Sequence, residues 1–430
     1  MNKFLFKNID GSALIVFRIL FGFLVACESF GAIFTGWVKN VSMEPEFTFS
    51  FIDFEWLQPL PGNGMYFYFA LMGLAGIGIM LGFRYKINII AFTILWSGVY
   101  FMQKSSYNNH YYLLVLISFL MVFLPANQEK SLDAKFGVVS KKSTIPNWIP
   151  LLFITMIGIV YFYAAIAKFY PDWLNGTFTR NLLQGTTTRP FFLNLFNQKW
   201  FYLFIAYAGI IFDLCIIPLL LFRKTRTIAL IAAFFFHVFN SITLQIGIFP
   251  YFALSFALFF YEPEKIRKLF FKEEIQVETT TNTFGKKLVY FLIFPFLIIQ
   301  IILPIRHHFI EGDVLWTEEG HRLSWRMMLR ERSGFINIKV IENESQKEIF
   351  YDFHKNLSSK QARQLATKPD FIWQYCQKIK KEYEGKDISI YIDCKNSINR
   401  KPYQVLIDPK YDMAKAKWNY FSHNEWLVLN

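Results

Sequence analysis

The sequence has few cysteines and lacks the short motifs by which many enzymes are recognised. Only four cysteines occur in 430 residues, at positions 27, 215, 376 and 394, and none belongs to a CxxC pair. A zinc site built on cysteine pairs therefore has no support. The chain also has no glycine-rich phosphate loop and no GxSxG elbow, so the chemistry of phosphate-binding loops and of serine hydrolases is not indicated.

Charged residues are also scarce. They make up 18% of the chain, whereas 54% is hydrophobic, 20% is aromatic and phenylalanine alone occurs 51 times. This composition is too apolar for an ordinary soluble domain. The net charge of +13 would suit nucleic acid, but much of the basic excess falls in loops between apolar runs, where membrane topology and anionic lipid explain it. The composition predicts a polytopic membrane protein with lipid, and not nucleic acid, as its partner.

Nine apolar runs follow one another through the first 305 residues, several of them at the short end for a membrane span. They lie at 12–34, 65–83, 87–102, 110–125, 147–167, 200–222, 227–246, 247–261 and 288–305. The two runs that meet at Gly247 also fit a single bent element. Because the first run follows two lysines and has no small-residue cleavage site, we interpret it as a retained signal anchor.

The loops between these runs predict the orientation of the chain. One alternate set of loops, which includes the N-terminus, carries about 17 lysines and arginines, whereas the other set carries about 6. The richer set is expected in the cytoplasm, so the N-terminus is cytoplasmic. With nine spans, the segment after residue 305 then emerges on the periplasmic or lumenal side.

After residue 305 the composition changes to mixed charge with alternating apolar residues. The alternation at Gly334–Ile341 and Ile388–Asp393 predicts strands, while Ser358 and Gln361 have capping-box spacing and Pro369 can begin a further helix. The predicted fold is a polytopic α-helical membrane bundle of about nine spans, residues 1–305, followed by a strand-rich α+β extracytoplasmic domain, residues 306–430.

The two cysteines of this C-terminal domain allow two interpretations. Cys376 falls on a predicted helix and Cys394 on a predicted strand, on the exported side where disulfides form. They pair, or they are two buried free thiols.

Polar residues in or beside the spans are the candidates for chemistry. Lys168 closes the fifth run, and Asn109 and His110 open the fourth. His237 and Asn240 lie on one helical face of the seventh run, because residues three and four apart are neighbours on a helix. Ser241 and Gln245 extend that face.

On the predicted topology these segments approach the exported side, and Arg306–His308 returns to the same level after the ninth run. Each has an ordinary structural interpretation beside the functional one. A lysine at the end of a span is commonly a snorkelling anchor, and an intramembrane histidine commonly a bond between helices. Their convergence favours a shared site.

Five segments, in the same order, resemble the vitamin K-dependent gamma-glutamyl carboxylases, in particular their shorter bacterial relatives with an HTTM-type membrane domain. They are YNNHYYL (107–113), VYFYAAIAKFYPDW (160–173), FFFHVFNSITLQIGIF (234–249), LPIRHHFIEGDVLWTEEGHRLSWRMMLRERSG (303–334) and IYIDCKNSINRKPYQVLIDPKYDMAKAKW (390–418). The likeness extends from the first span almost to the C-terminus.

This resemblance implies a two-part reaction without a metal. A reduced naphthoquinone, vitamin K hydroquinone or menaquinol, is deprotonated and oxygenated to its epoxide. The strong base formed on the way removes a gamma proton from a peptide glutamate, which takes up carbon dioxide to give gamma-carboxyglutamate. A quinone or epoxide reductase is an expected partner.

The resemblance also assigns roles to individual residues. Lys168 matches the base toward the hydroquinone, and Asn109, His110 and His237 match residues that hold and polarise its oxygens. The residues expected around the quinone are Asn240, Phe249, His308, Trp325, Met327 and Met328, with Ser324 beside them. A lysine acts as a base only where its ammonium form is disfavoured, and the apolar YFYAAIA sequence before Lys168 supplies such surroundings.

The chain departs from the vertebrate enzymes at Trp316–Met328, where theirs is rich in tyrosine and has an acidic residue at the position of Arg326. Glu318, Glu319, Arg322 and Arg326 therefore either define a different substrate site or form a salt-bridged strand edge. Three functions follow: a complete carboxylase, a quinol epoxidase or other oxidoreductase without peptide carboxylation, or a non-enzymatic quinone or lipid binder or a transporter. We rank them in that order.

Overall fold

The computed structural model describes residues 2–186, 188–244, 247–277, 281 and 283–429. Gln245, which was predicted to extend the polar face of the seventh run, lies outside the described residues.

Among the described residues, nine apolar helical segments make up the N-terminal part of the chain. They are α1 (Ser12–Phe34), α2 (Gly64–Leu81), α3 (Tyr85–Met102), α4 (Asn109–Val122), α5 (Trp148–Ile166), α6 (Lys199–Leu221), α7 (Arg226–Leu244), α8 (Phe249–Ser255) with its 3-10 continuation Phe256–Phe260, and α9 (Lys286–Phe309). Within the described residues, six of them are long and apolar enough to cross a membrane, while α4, α7 and α8 are shorter. The chain is a multi-pass membrane protein, and the predicted count of nine spans is not confirmed.

Short helices connect these segments. They are Asn2–Leu5, Leu132–Lys135, Pro171–Leu174, Thr177–Gln184, Pro190–Phe196 and Pro263–Phe271, with Val314–Thr317 after the last span.

Glycines allow α1 and α2 to pack with their backbones close together. A Cβ atom on Gly22 would come within 2.2 Å of the backbone nitrogen of Met80, and one on Gly76 within 2.8 Å of the backbone nitrogen of Ala26. Small residues at helix contacts serve this purpose in membranes, where no hydrophobic effect drives helices together. This helix pair forms one side of the bundle core.

The end of the bundle away from the C-terminal domain is held by buried charges. Arg267 donates to Asp10 at 2.5 Å and to both carboxylate oxygens of Glu129 at 3.0 and 2.7 Å, and its side chain is 1% exposed. Arg18, inside α1, donates to the backbone carbonyls of Ala126 and Lys130. Each guanidinium donates to acceptors from distant segments, so these residues tie the loops to the helices.

The C-terminal domain is a four-stranded antiparallel sheet with helices on one face. Its strands follow the order β4-β3-β5-β6, and β1 (Asn8–Asp10) and β2 (Thr144–Pro146) form a separate antiparallel pair near the N-terminus. The strands and helices of the domain are β3 (Arg332–Glu342), β4 (Lys347–Phe350), β5 (Ile388–Ile398), β6 (Gln404–Val405), α10 (Ser359–Leu365) and α11 (Pro369–Glu382).

The local sequence signals of this domain are confirmed. Both predicted strands are present within β3 and β5, which pair along their full lengths. The capping box forms, with Ser358 accepting from the Gln361 amide and the Gln361 side chain accepting from the Ser358 amide. Of the two interpretations of the cysteines, the structure supports the second, because Cys376 and Cys394 are buried free thiols.

The two cores exchange residues across the predicted border at residue 305. Trp325 belongs to the core of the bundle, whereas Phe49, from the loop between α1 and α2, packs in the core of the C-terminal domain. Gln364 of α10 donates to the backbone of Ser105 in the loop before α4. The start of α4 therefore lies directly beneath the C-terminal domain.

Candidate functional site

The start of α4 is fixed by a local cap and by contacts with the segment after the last span. Asn108 is the N-cap, and its side chain accepts from the backbone N–H of Tyr111 at 2.7 Å. The next residue, Asn109, is buried, accepts from the Tyr107 hydroxyl at 3.0 Å and donates to the backbone carbonyl of Arg326 at 3.0 Å. The cap thus places two consecutive predicted site residues, Asn109 and His110, in the first turn of a helix.

His110 and His237 meet at Phe249. The rings of His110 and Phe249 are stacked, with centroids 3.7 Å apart and planes 15° apart, and the His237 ring stands edge-on to Phe249 at 6.3 Å. The Nε2 atom of His237 lies 2.9 Å from the hydroxyl of Tyr161. The structure therefore brings together three predicted site residues from α4, α7 and α8. Asn240 lies one turn beyond His237 and is partly buried.

Lys168 lies just beyond the end of α5 and is bound to a carboxylate. Its Nζ atom donates to the backbone carbonyl of Ala164 at 3.0 Å and to Asp213 at 2.5 Å, and it lies 5.3 Å from the centroid of the Trp173 ring. The side chains of Lys168 and Asp213 are 11% and 7% exposed. A lysine that only anchors a span extends its ammonium to the membrane surface, whereas this one points into the protein.

Asp213 is a candidate functional residue that the sequence reasoning missed. It is the single charged residue within the apolar run 200–222. An intramembrane carboxylate is by default a functional candidate, so the signal was available. Its neighbour Phe212 contacts the rings of Tyr161 at 5.9 Å and His237 at 6.1 Å, which links the Lys168 pair to the histidines through α6.

The segment between the last span and β3 has an unusual backbone. Glu318, Leu323, Trp325 and Met328 have φ values of +62°, +58°, +57° and +48°, in the left-handed region that non-glycine residues rarely adopt. Strain of this kind costs on the order of 1–3 kcal/mol per residue and concentrates at functional sites. The surrounding contacts therefore hold the WRMM sequence in place.

Cavities adjoin this segment on several sides. One of about 200 Å³ lies beside Arg322 and Asp370, and three are larger. The bundle cavity, of about 650 Å³, lies between α1, α3, α4 and α8, and its walls include Glu28, Trp96, His110, Phe249 and Met328. The cationic cavity, of about 520 Å³, lies between the start of α4 and α10, and its walls include Asn109, His110, Arg326, Met327, Met328 and Lys368. The outer cavity, of about 840 Å³, is lined by Tyr170, His308, Ser324 and Arg326 among others.

The predicted site residues are distributed unequally among these cavities. His110 and Met328 line both the bundle cavity and the cationic cavity, so they form a shared wall. Lys168, Asn240 and Trp325 line none of the three cavities, within the residues that the structure describes. The neighbours of Lys168, at positions 167 and 169, line the outer cavity.

Trp325 instead packs inside the bundle. Its side chain is fully buried, and its ring lies 5.0 Å from that of Tyr112. It therefore belongs to the core of the bundle and not to a cavity wall.

Two of the three predicted substrate-binding residues are committed to internal ion pairs. Arg322 binds both carboxylate oxygens of Asp370 at 2.9 to 3.2 Å, and Glu318 is paired with Arg330 and with Arg332. Burial opposes the charge of Glu318, but Arg330 and its other cationic neighbours outweigh it and hold the pKa of Glu318 well below its ordinary value. The salt-bridged alternative considered for this segment therefore describes Glu318 and Arg322.

Other cations in the cationic cavity are not committed in this way. Lys360, Arg363 and Lys368 line it, and none of them forms an ion pair within 4.0 Å among the described residues. Burial, and then the charge of Arg322, lower the pKa of Lys368 to about 8. An amine that is disfavoured as a cation and lacks a carboxylate partner is suited to bind an incoming anion.

The described part of the chain contains no candidate metal site. No group of three or more histidine, cysteine, aspartate or glutamate side chains there is arranged to hold a metal ion.

Comparison with known families divides the chain into two parts. The model of the HTTM domain matches residues 6–264, and the model of the lumenal domain of vitamin K-dependent gamma-carboxylase matches residues 285–430. The first match covers the bundle as far as the helix after α8, and the second covers α9 and the C-terminal domain. No solved structure matches the chain.

Proposed function

Because this chain belongs to the vitamin K-dependent gamma-carboxylase family, we propose that it converts a reduced naphthoquinone to its epoxide and uses that oxidation to carboxylate a peptide glutamate. The observation that carries the proposal is the wall shared by two unlike cavities. His110 and Met328 face an aromatic cavity inside the bundle on one side and a cation-rich cavity beneath the C-terminal domain on the other. Such a wall brings an apolar co-substrate and an anionic substrate within reach of the same side chains.

The bundle cavity is suited to the quinol. Its volume of about 650 Å³ falls in the usual range for small-molecule sites. Trp96 and Phe249 offer flat apolar surfaces and Met328 a polarizable thioether, while Glu28 and His110 are among its polar groups. When bound, the reduced quinone would react with oxygen, and that reaction would supply the strong base.

The chain's own residues hold and move the protons. We assign Lys168, buried beside the outer cavity, as the base that receives a proton from the quinol hydroxyl. It can do so only as a neutral amine, so in this step the proton shared by the pair rests on Asp213, which holds the amine at 2.5 Å. His110 lines the bundle cavity and then hydrogen-bonds a quinol oxygen, while Asn109 reaches the quinol from the cationic cavity at the shared wall. His237, behind Phe249, completes that wall. The apolar surroundings exclude water that would quench a strong base.

The cationic cavity is assigned to the glutamate side chain. Lys368 and Arg363, with Arg326 deeper in the wall, provide positive charge for the substrate carboxylate. Arg322 and Glu318, which the resemblance left open as substrate residues, instead shape the cavity through their ion pairs. Met327 lines the cavity near these groups, and His308 lines the outer cavity.

The proposed orientation follows the loop charges. The N-terminus is cytoplasmic and the C-terminal domain periplasmic or lumenal, so that quinol enters from lipid and the peptide from the aqueous side. A separate quinone or epoxide reductase would regenerate the quinol.

The proposal is tested with purified protein in detergent, given reduced vitamin K, oxygen, labelled bicarbonate and a short glutamate peptide. We expect wild type to form both epoxide and peptide-bound label, and Lys168→Ala to form neither. Epoxide without label supports the alternative of a quinol epoxidase. Neither product from wild type, with quinone still bound, makes the protein a binder and overturns the enzymatic proposal.

A further inference from the structure

The hydrogen bonds around Tyr107 fix the orientation of the Asn109 amide. The hydroxyl oxygen of Tyr107 accepts from the backbone N–H of Leu323 at 2.7 Å, so its own hydrogen is directed to the Asn109 Oδ1 atom at 3.0 Å. The Nδ2 atom of Asn109 consequently faces the backbone carbonyl of Arg326 at 3.0 Å. One N–H and one oxygen lone pair of the amide remain for a ligand.

The Tyr107 ring is itself held by a buried charge cluster. The guanidinium of Arg322 lies 5.0 Å from the ring centroid and forms a two-pronged pair with Asp370. Lys104 lies 3.0 Å from the same carboxylate, and its side chain is 1% exposed. Burial opposes the charge of Asp370, but Arg322 and Lys104 outweigh it and lower the pKa of Asp370 to about 2.

This cluster joins three separate parts of the chain. Lys104 and Tyr107 precede α4, Arg322 belongs to the strained segment, and Asp370 lies in the first turn of α11. The orientation of a residue in the bundle therefore depends on the seating of a helix in the C-terminal domain. In the same strained segment, the backbone N–H of Leu323 donates to Tyr107 and the backbone carbonyl of Arg326 accepts from Asn109, which closes the ring of contacts.

We propose that Tyr107 is a positioning residue for Asn109, held in register by the Arg322–Asp370 pair and by Lys104. The inference rests on the proposed function, because it assigns the Asn109 amide to the quinol. The ring of Tyr107 lines both cavities, but its hydroxyl is occupied by Leu323 and Asn109 and does not touch the reacting atoms in this assignment. It sets which end of the amide faces them.

The competing explanation is that these contacts only join the two domains. In that case, loss of the hydroxyl weakens the fold but acts independently of Asn109. The two explanations differ in a double-mutant cycle, because residues that act through one another show non-additive effects.

The experiment compares Tyr107→Phe, Asn109→Ala and the double variant by the rate of epoxide formation, each preparation being checked by thermal unfolding. We expect Tyr107→Phe to lower the turnover rate about tenfold to hundredfold, the range for loss of a buried hydrogen bond. In the Asn109→Ala background the same change lowers it less than about twofold. Equal losses in both backgrounds, or no loss from Tyr107→Phe, overturn the proposal.

A matched control and a second variant guard against general damage. Tyr85 is also buried, and its hydroxyl donates to a backbone carbonyl at 2.8 Å, that of Met121. Tyr85→Phe should leave the turnover rate unchanged. Arg322→Lys keeps the charge but loses the planar fork and should lower turnover by less than Tyr107→Phe; an unchanged rate refutes the part assigned to Arg322.

A binding assay distinguishes failure of the proposed function from failure of the positioning role. If wild type forms no epoxide, the proposed function falls, and the same cycle is measured through binding of oxidised menaquinone, followed by quenching of tryptophan fluorescence. Non-additive changes in the dissociation constant then support the positioning role, with the amide assigned to a bound quinone. Additive changes, or no binding by wild type, overturn it.

Discussion

Replacement of Lys168 by residues that keep or remove its charge separates a catalytic base from an anchor. Lys168→Arg keeps a cation opposite Asp213, but a guanidinium does not give up its proton near neutral pH. If Lys168 is the base, epoxide formation should fall by about 10²- to 10⁴-fold, the usual contribution of a positioned base. An anchor would tolerate the change.

The structure predicts a distinct pattern in stability. The pair is 2.5 Å long and its side chains are 11% and 7% exposed, so removal of one partner leaves a buried charge. Lys168→Met should therefore cost about 3–5 kcal/mol of the free energy of unfolding. Lys168→Met combined with Asp213→Leu removes both charges and should recover most of that loss.

The assay measures epoxide formation and thermal unfolding of the three variants side by side. Lys168→Arg and the double variant should be folded and inactive, while Lys168→Met is inactive and destabilised. Activity within about tenfold of wild type in Lys168→Arg would refute the base assignment. Equal stability of Lys168→Met and the double variant would refute the view of the pair as a buried, mutually dependent unit.

Three further predictions concern other parts of the molecule. Because the pKa of Lys368 is lowered to about 8 in the folded protein, the unfolded chain binds this proton more tightly, and the free energy of unfolding rises with pH between about 8 and 10. Thermal scans should therefore show Lys368→Met to be more stable than wild type at pH 7 but no longer at about pH 10. The same variant should bind the peptide more weakly. Gly22→Val should abolish folding, because a side chain there meets the backbone of α2. Gly31→Ala lies on the same helix with open space around it and should change the stability measured by thermal unfolding in detergent by less than about 1 kcal/mol. Burial raises the pKa of both the Cys376 and the Cys394 thiols, so iodoacetamide should label neither in the folded protein and both after denaturation, and labelling of the folded form would contradict their burial.

The sequence determined those features that depend on neighbouring residues. Apolar run length predicted the membrane helices, because a span needs about 20 apolar residues, and the family resemblance is confirmed by both domain matches. Alternation predicted β3 and β5, and the spacing of Ser358 and Gln361 predicted a cap that forms as expected. The count of spans was less secure, because α4, α7 and α8 are too short to identify by length alone.

Only the tertiary structure decided which charged side chains form internal ion pairs and which remain available to a ligand. Lys168 and Asp213 lie 45 residues apart in the chain, and Arg322 and Asp370 lie 48 apart. Helix packing brings such partners together, and no local period encodes it. The sequence left Arg322 open as a substrate residue or a salt-bridge partner. The fold pairs it with Asp370 and leaves Lys368 facing the cationic cavity. Composition and periodicity set the helices and strands through local physics, but long-range ion pairs and shared cavity walls exist only once those elements have packed.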